Sequence, residues 1–353
     1  MGRRLDARAG GRAAASATGL AGLSDAQLVG QHMIYSYDGS APTADLLRRV
    51  RRGEVAGVLI RTVNDRAPAR LRAVTRTLQR TPRPAAVNAP LMILIDQEGG
   101  LVKRLGGAPS LSAEQMGQTH DLGLIERQGL ATGRNLRSLG INVNLAPVVD
   151  VGRPGSFVVQ THRSFSSSAA EVAQMAEAFI KGSDRTGVLS VIKHWAGLGT
   201  APNDQDHVAN RIPLSLGTLR NVDELPFQRL AGRPRLMVMA DSAVYPPFGS
   251  LPTELNRRLI TDELRGRLRF QGLVMTDDVG VQALDRFGSY SQRLVEAVRA
   301  GNDLLMFARS YAAAPHGAAI LERALRDHAI SRDQLGATLP HILSIRRGLP
   351  GAH

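Results

Sequence analysis

The feature that most constrains the fold of this 353-residue chain is the alternation, from residue 55 onward, of short apolar runs with longer helical stretches. The runs are continuously apolar, which is typical of strands buried on both faces of a parallel sheet. Between them, stretches such as 169–181, 293–300 and 318–325 carry apolar residues at helical spacing. The predicted strands are residues 55–60, 91–95, 142–145, 188–192, 236–239, 273–276 and 303–306.

Strands that alternate with helices form βαβ units and hence a parallel sheet. The number and spacing of the runs favour an α/β fold, a closed (β/α)8 TIM-type barrel, over a six-stranded open sheet. We expect one irregular or missing strand, because the eighth is either a short one near residues 342–345 or is replaced by the N-terminal part. No linker interrupts the pattern, so residues 23–349 are predicted to form a single catalytic barrel domain.

Residues 1–22 are rich in Arg, Ala and Gly and predict a disordered or processed N-terminal tail. They lack the apolar segment of a secretory signal, so the sequence as it stands predicts a cytoplasmic protein. A truncated signal that ends in the small-residue stretch 13–21 would instead make the protein secreted. Ser24 is expected to cap the first helix. No apolar run approaches the length of a membrane span, so none is expected.

The composition excludes several kinds of chemistry. The chain has no Cys, which rules out disulfides, thiolate zinc sites and cysteine nucleophiles. Its His residues show no metal-ligand spacing and it lacks phosphate-loop and dinucleotide motifs, so neither a metal nor a cofactor is expected. The net charge of +13 is compatible with a nucleic-acid partner. However, Lys occurs only three times, so 41 of the 44 basic residues are scattered Arg, and compositional bias without nucleic-acid binding is favoured.

Ionisable side chains follow successive predicted strands, at the positions where barrel enzymes place catalytic groups. A buried Lys beside a His is costly to keep without a polar ligand, and adjacent acids raise each other's cost of ionisation. Other interpretations stay open: the acids as helix caps, and Lys193 as a surface-reaching or Schiff-base lysine. The strand-end residues are Asp96, Asp150, Lys193, His194, Asp241, Asp277 and Asp278.

Several segments together carry a family resemblance. They read DQEGG at 96–100, NVNLAPVVDV at 142–151, HRSFS at 162–166, KHWAGLG at 193–199, FQGLVMTDDVGVQAL at 270–284 and AGNDLLMF at 300–307. In this order they resemble glycoside hydrolase family 3, specifically its single-domain bacterial β-N-acetylglucosaminidase-like (β-N-acetylhexosaminidase) branch. Residues 26–33 and 55–60 are similar to its opening helix and first strand. The likeness spans about residues 23–346 and implies a retaining exo-β-glycosidase.

The resemblance implies roles for single residues. Asp277, the first acid of the TDD segment, matches the catalytic nucleophile of the family. The positions that bind the hydroxyls of the terminal sugar are matched by Asp96, Arg163, Lys193 and His194.

The general acid/base of this branch is a His in a loop, two residues after an Asp with which it pairs. Asp204 matches that Asp, but Asp206 stands at the position of the His, and His207 follows it. Either His207 is the acid/base after a one-residue shift of the loop, or Asp206 serves directly. We prefer His207 slightly, because a His titrates near neutral pH. Further departures from the family pattern are Leu101, Ala196, Leu198 and Asp241.

The predicted activity is therefore hydrolysis of terminal β-N-acetylglucosaminides, as in cell-wall or chitin-type glycans, through a glycosyl-enzyme on Asp277. The expected partner is a carbohydrate substrate, and the sequence does not indicate an oligomeric state. Two alternatives stay open. One is a non-hydrolytic sugar-binding or regulatory protein on a decayed glycosidase scaffold, and the other is a β-glycoside phosphorylase.

Overall fold

Eight parallel strands close into a barrel in the computed structural model, which describes residues 22–61, 64 and 67–351. The barrel strands are β1 Met33–Ser36, β2 Gly57–Ile60, β3 Met92–Ile95, β6 Val143–Asn144, β7 Leu189–Trp195, β8 Leu236–Ala240, β9 Leu273–Asp278 and β10 Leu304–Met306. Two more strands, β4 Gln97–Gly99 and β5 Val102–Lys103, form an antiparallel hairpin directly after β3. The predicted (β/α)8 barrel is confirmed.

Strand β1 closes the barrel by pairing with β2 on one side and with β10 on the other. The N-terminal part therefore supplies the strand that the sequence left open, and no barrel strand is missing. The alternative strand at 342–345 is wrong, because these residues lie in the helix Arg332–Arg347. The buried residues of that segment recur at helical spacing: Leu335, Leu339, Ile342 and Leu343.

The order of the first elements also differs from the expectation. Residues 55–60 contain the second barrel strand, and Met33 begins the first strand instead of ending the opening helix. That helix is only Asp25–Gly30, and Ser24 caps it as predicted, accepting a hydrogen bond from the backbone N–H of Gln27. Strand β1 has only four residues, so its apolar run is too short to be distinguished in the sequence from the end of a helix.

Helices and turns link the strands and cover the outside of the barrel. Three predicted helices are confirmed, as Ala169–Asp184, Tyr290–Ala300 and Ala313–Arg326. The other α-helices are Asp25–Gly30, Ala44–Arg52, Pro68–Arg80, Ala113–Thr119, Leu122–Ser138, Phe157–Gln160, Leu216–Thr218, Leu225–Leu230 and Arg332–Arg347. Leu219–Asp223 and Arg258–Arg267 are π-helical, and 3₁₀ turns lie at Ala85–Val87, Pro246–Phe248, Thr253–Leu255 and Gln282–Phe287.

The strands are buried on both faces, as their continuous apolar runs predict. Side chains that point inward fill the barrel, and Ile342 of the last long helix packs into the same cluster. At the carboxyl ends of the strands, Leu59, Met239 and Met306 form the apolar floor of a cavity. The barrel interior is thus a packed core that supports the cavity from below.

Residues 1–21 lie outside the described residues, so the predicted tail stays a prediction. In the part of the chain that the structure describes, no helix is long and apolar enough to cross a membrane.

Candidate active site

A cavity of about 420 Å³ opens where the barrel strands end. Its lining brings together all but one of the residues that the sequence singles out for binding or catalysis. These are Asp96, Arg163, Lys193, His194, Asp204, Asp206 and Asp277. The exception is His207, whose side chain is exposed outside the lining.

Glu98 is the centre of a buried ionic cluster on one wall of the cavity. Arg163 donates two parallel hydrogen bonds of 2.8 Å to its carboxylate, from Nε and from Nη2. Lys193 Nζ lies 2.8 Å from Glu98 Oε1 and also donates to Asp96 Oδ1 at 2.8 Å. Burial raises the pKa of Glu98, but the charges of Arg163 and Lys193 outweigh it and hold that pKa well below its usual range. Glu98 therefore stays ionised and holds both cations in place.

The sequence places Glu98 after the same buried strand as Asp96, within the DQEGG segment, but it did not assign Glu98 a role in the site. Its neighbour Gln97 is fully buried and fixes the hairpin, accepting from the N–H of Leu105 at 3.0 Å and donating to its carbonyl at 3.0 Å. The next two residues, Gly99 and Gly100, have φ values of 106° and 59°, which favour glycine. The segment therefore turns sharply, so that Glu98 and Asp96 reach one cavity.

Arg163 is positioned by the end of the short helix Phe157–Gln160. His162 adopts a left-handed conformation, which His tolerates better than most residues. The N–H groups of His162 and Arg163 then donate to the carbonyls of Val159 and Val158, at 3.0 and 2.8 Å. This is a Schellman motif, which ends the helix and fixes the direction in which Arg163 leaves it.

His194 is held in one tautomer by its two neighbours. Its Nδ1 lies 2.7 Å from Asp150 Oδ2, and its Nε2 lies 3.4 Å from Nη2 of Arg163, which is always a donor. Nδ1 therefore carries the proton and Nε2 accepts. Burial lowers the pKa of His194, which agrees with a neutral ring. Asp150, one of the predicted strand-end acids, thus acts beneath the cavity, where it orients His194.

Asp277, near the end of β9, lines the same cavity. Its Oδ1 accepts the backbone N–H of Asp278 at 2.8 Å, and its Oδ2 accepts Nε2–H of Gln205 at 2.8 Å. Burial raises the pKa of Asp277 to about 8, and the negative charge of Asp206 contributes to this rise while Lys193 opposes it. Sequence reasoning missed Gln205, since no family position or strand end marks it.

The loop after β7 carries the remaining acids. The Asp204 side chain accepts the N–H of Asp206 at 3.0 Å, and its carbonyl accepts the N–H of His207 at 3.2 Å. Asp206 and His207 of this tight turn are both exposed, but Asp206 lines the cavity and His207 does not. Burial raises the pKa of Asp206, and the charge of Asp204 raises it further. Within the described residues, no hydrogen bond or ion pair holds the ring of His207.

The positions that depart from the family pattern have different surroundings. Asp241 is fully buried outside the cavity lining, where its Oδ2 accepts the hydroxyl of Tyr245 at 2.5 Å. Burial raises the pKa of Asp241 well above its usual value. Leu198 lines the cavity and donates its N–H to Asp150. Leu101 is 68% exposed at the cavity mouth. The predicted strand-end residues therefore do not all line the cavity, since Asp241 belongs to the core that supports it.

The described residues contain no group of three or more His, Asp or Glu side chains that could hold a metal ion. What the cavity offers is a pair of facing carboxyl groups, Asp206 and Asp277, beside an ionic cluster able to bind hydroxyl groups. Two carboxyl groups across a sugar-sized cavity are the arrangement that glycosidic bond cleavage requires. A barrel with this site is a glycoside hydrolase.

Comparison with known proteins identifies the family. The model of the Glycosyl hydrolase family 3 N terminal domain matches residues 26–345, so the chain belongs to glycosyl hydrolase family 3. It is 37% identical over 284 residues to an uncharacterized secreted glycosyl hydrolase of Arthroderma benhamiae, covering 78% of this chain and 80% of that one. A beta-hexosaminidase of Alkalilimnicola ehrlichii is 30% identical over 275 residues, covering 74% of this chain and 76% of the relative.

Among solved structures, the chain is similar to a family 3 beta-N-acetylglucosaminidase from Paenibacillus sp. The TM-score is 0.87 at 28% identity, over 92% of this chain and 62% of that chain. The family predicted from the sequence segments is confirmed.

Proposed function

We propose that this protein is a retaining exo-β-glycosidase that removes terminal β-N-acetylglucosamine residues. The observation that carries the proposal is the placement of Asp277 and Asp206 in one cavity beside the cluster of Glu98, Arg163 and Lys193. The names of the beta-hexosaminidase and beta-N-acetylglucosaminidase relatives support the choice of sugar.

Asp277 is proposed as the nucleophile. Its carboxylate attacks the anomeric carbon, and the bond from that carbon to the leaving oxygen breaks as the glycosyl ester forms. A nucleophile must be ionised. Burial and the charge of Asp206 raise the pKa of Asp277, and three contacts oppose that rise by favouring the charged form. They are the N–H groups of Asp278 and Gln205, and the positive charge of Lys193.

Asp206 is proposed as the general acid/base in place of His207. Two neighbouring carboxyl groups titrate as a pair and share a proton when like charges are close. The donors on Asp277 favour its ionised form, whereas within the described residues none reaches the carboxyl of Asp206. The reactive state that we propose has Asp277 ionised and the shared proton on Asp206, which gives it to the leaving oxygen. Asp206 then takes a proton from the water that hydrolyses the ester.

Asp96 and Lys193 are proposed to bind sugar hydroxyls. Arg163 donates two hydrogen bonds to Glu98, so we propose that its main effect is to keep this carboxylate charged. Its contact with Nε2 also favours the form of His194 that is protonated on Nδ1. Nη2 of Arg163 uses its two N–H groups on Glu98 Oε1 and His194 Nε2, so both residues are proposed to act by shaping the cavity wall.

Transfer to phosphate instead of water is the second candidate reaction. A phosphate nucleophile would have to approach Asp204 and Asp206, and after proton transfer the negative charge on Asp206 would repel it. Water carries no such charge, so hydrolysis is favoured over phosphorolysis. The decayed-scaffold alternative is not favoured, because the two facing carboxyl groups are both in place.

The proposed activity is tested with a panel of aryl glycosides. We expect the wild-type protein to release the aryl group fastest from the β-N-acetylglucosaminide, compared with the β-glucoside, β-xyloside and α-arabinofuranoside. The product should be free sugar with initial retention of configuration, followed by NMR. Phosphate-dependent formation of a sugar 1-phosphate would instead establish the phosphorylase. Absence of turnover on the whole panel, with sugar binding retained, would establish the binding protein.

The acid/base assignment is tested by leaving-group dependence. We expect Asp206→Ala to slow substrates with poor leaving groups about 10²–10⁴-fold while leaving activated aryl substrates much less affected, because a good leaving group needs little protonation. The matched variant is His207→Ala, in the next residue, which should be nearly silent. Azide should partly rescue Asp206→Ala with activated substrates. The reverse pattern would make His207 the acid/base, as the sequence slightly favours.

A further inference from the structure

The bond between Gln205 and Asp277 joins the acid/base loop directly to the proposed nucleophile. We infer that Gln205 is a positioning residue that holds this loop closed by clamping the carboxylate of Asp277. The inference rests on the proposed function, because it concerns how the two proposed catalytic acids are brought together.

Gln205 is buried, and both ends of its amide are used. Its Nε2–H donates to Asp277 Oδ2 at 2.8 Å, while its Oε1 accepts the backbone N–H of Ser242 at 3.2 Å. Ser242 follows β8, and its hydroxyl donates to Oε1 of the fully buried Glu254 at 2.7 Å. One loop side chain therefore bridges the ends of two neighbouring barrel strands, β8 and β9.

The loop needs such a link because one of its acids, Asp206, lies close to Asp277. Asp204 and Asp206 flank Gln205, and the two carboxylates of Asp206 and Asp277 repel each other whenever both have lost their protons. The neutral amide of Gln205 offers a donor at the same place, and hydrogen bonds to charged groups are stronger than those between neutral ones. Gln205 thus offsets the repulsion that closing this loop creates.

The strength of this contact depends on the state of Asp277. When Asp277 is a carboxylate, Gln205 makes a charge-assisted bond; when Asp277 is a glycosyl ester, the acceptor is neutral and the bond is weaker. The loop is therefore held most firmly before the glycosidic bond breaks, when Asp206 must protonate the leaving oxygen. It is released more easily afterwards, when the leaving group must depart and water must enter.

A second clamp on the same loop supplies a control. Asn210 accepts the N–H of Asn203 at 3.2 Å and donates to its carbonyl at 2.9 Å, so it ties the base of the loop without touching Asp277. Asn210 does not line the cavity. Loosening the loop there leaves the environment of the nucleophile intact.

The test is the pH dependence of kcat/KM for an activated aryl β-N-acetylglucosaminide, whose acidic limb reports ionisation of the nucleophile in the free enzyme. Gln205 favours the charged form of Asp277, so Gln205→Ala should raise that pKa and move the limb up by about one pH unit. The isosteric Gln205→Glu should move it further, since it places a negative charge against Asp277. Asn210→Ala should leave the limb in place and slow only substrates with poor leaving groups. Four other charged or titratable groups interact electrostatically with Asp277. None of them is replaced in the three variants. They are Asp96, Lys193, Asp206 and Glu254.

An acidic limb that is unchanged in Gln205→Ala, or one that moves equally in Asn210→Ala, would overturn the inference. NMR titration of the Asp277 carboxyl carbon in the same variants reads the same ionisation without turnover. An inactive wild-type protein would therefore refute the proposed function, while the titration would still decide the role of Gln205.

Discussion

We expect Asp277→Asn to lower kcat/KM by roughly 10⁴-fold or more, the scale of loss when a catalytic nucleophile is removed. The amide cannot attack the anomeric carbon, so no glycosyl ester forms. Steady-state kinetics with the aryl β-N-acetylglucosaminide measure the loss. In the wild-type enzyme a 2-fluoro sugar should trap the ester, and mass spectrometry of the labelled peptide should locate it on Asp277.

Loss of the fold would not explain such a result. Burial raises the pKa of Asp277 to about 8, above the value of an unfolded Asp. A carboxyl group with a raised folded pKa opposes folding once the pH exceeds its unfolded pKa, and the opposition grows until the pH passes the folded one. Asp277→Asn removes this effect, so its Tm at neutral pH should be at least that of the wild type.

The adjacent acid provides a matched control for Asp277. Asp278 Oδ1 accepts the N–H groups of Gly280 and Ala308, at 3.1 and 3.2 Å, and so supports the loop after β9. Asp278→Asn keeps an acceptor at this position and should retain most of the activity. Labelling of Asp278 or of Asp241 by the 2-fluoro sugar would contradict the assignment.

The second large effect is expected for Lys193→Ala. Lys193 is 3% exposed and pairs with both Asp96 and Glu98, so its removal takes one of two cations from the buried Glu98 and leaves Arg163 as the other. Breaking a buried pair completely costs about 3–5 kcal/mol of folding free energy, and the remaining Arg163 should keep the loss below that range. A lost charged hydrogen bond to a sugar hydroxyl adds about 1.5–3 kcal/mol in the transition state, so kcat/KM should fall at least about tenfold.

The two effects of Lys193→Ala are separated by Asp96→Asn. Asp96 is 22% exposed and its replacement leaves the bonds of Lys193 and Arg163 to Glu98 in place, so the free energy of unfolding should change little. Its kcat/KM should still fall, because a charged acceptor for a sugar hydroxyl is lost. Denaturant unfolding and kinetics on the two variants make the comparison. Unchanged kinetics in both would exclude this wall from sugar binding.

Much of the barrel was predictable because its signals are local. A strand buried on both faces needs a continuous apolar run, and the groups that follow such runs must lie at the carboxyl end of the barrel. This is why Asp96, Lys193, His194 and Asp277 could be placed at one cavity from the sequence. Strand β1 was not predicted, because a run of four residues is too short to show a strand pattern. Residues 342–345 were considered as a strand because a short apolar run does not distinguish a strand from a helix.

The direction of side chains in loops is not local, and the structure decided it. Asp206 and His207 are neighbours in sequence, and only the turn that the Asp204 carbonyl and carboxylate hold brings Asp206 into the cavity lining and leaves His207 outside it. Asp241 follows a strand like the other acids, yet its bond to Tyr245 turns it into the core. Strand-end position alone could not separate these cases.

The sequence by itself determined the alternation of strands and helices, the family and the group of acids at the strand ends. Only the tertiary structure showed that Glu98 is the centre of the ionic cluster and that Gln205 contacts Asp277, the proposed nucleophile. The physical reason is that both roles are relations between segments far apart in the chain. Glu98 meets Arg163 and Lys193 from three separate segments of the chain, and Gln205 of the loop after β7 meets Asp277 of β9, through contacts that barrel closure alone creates.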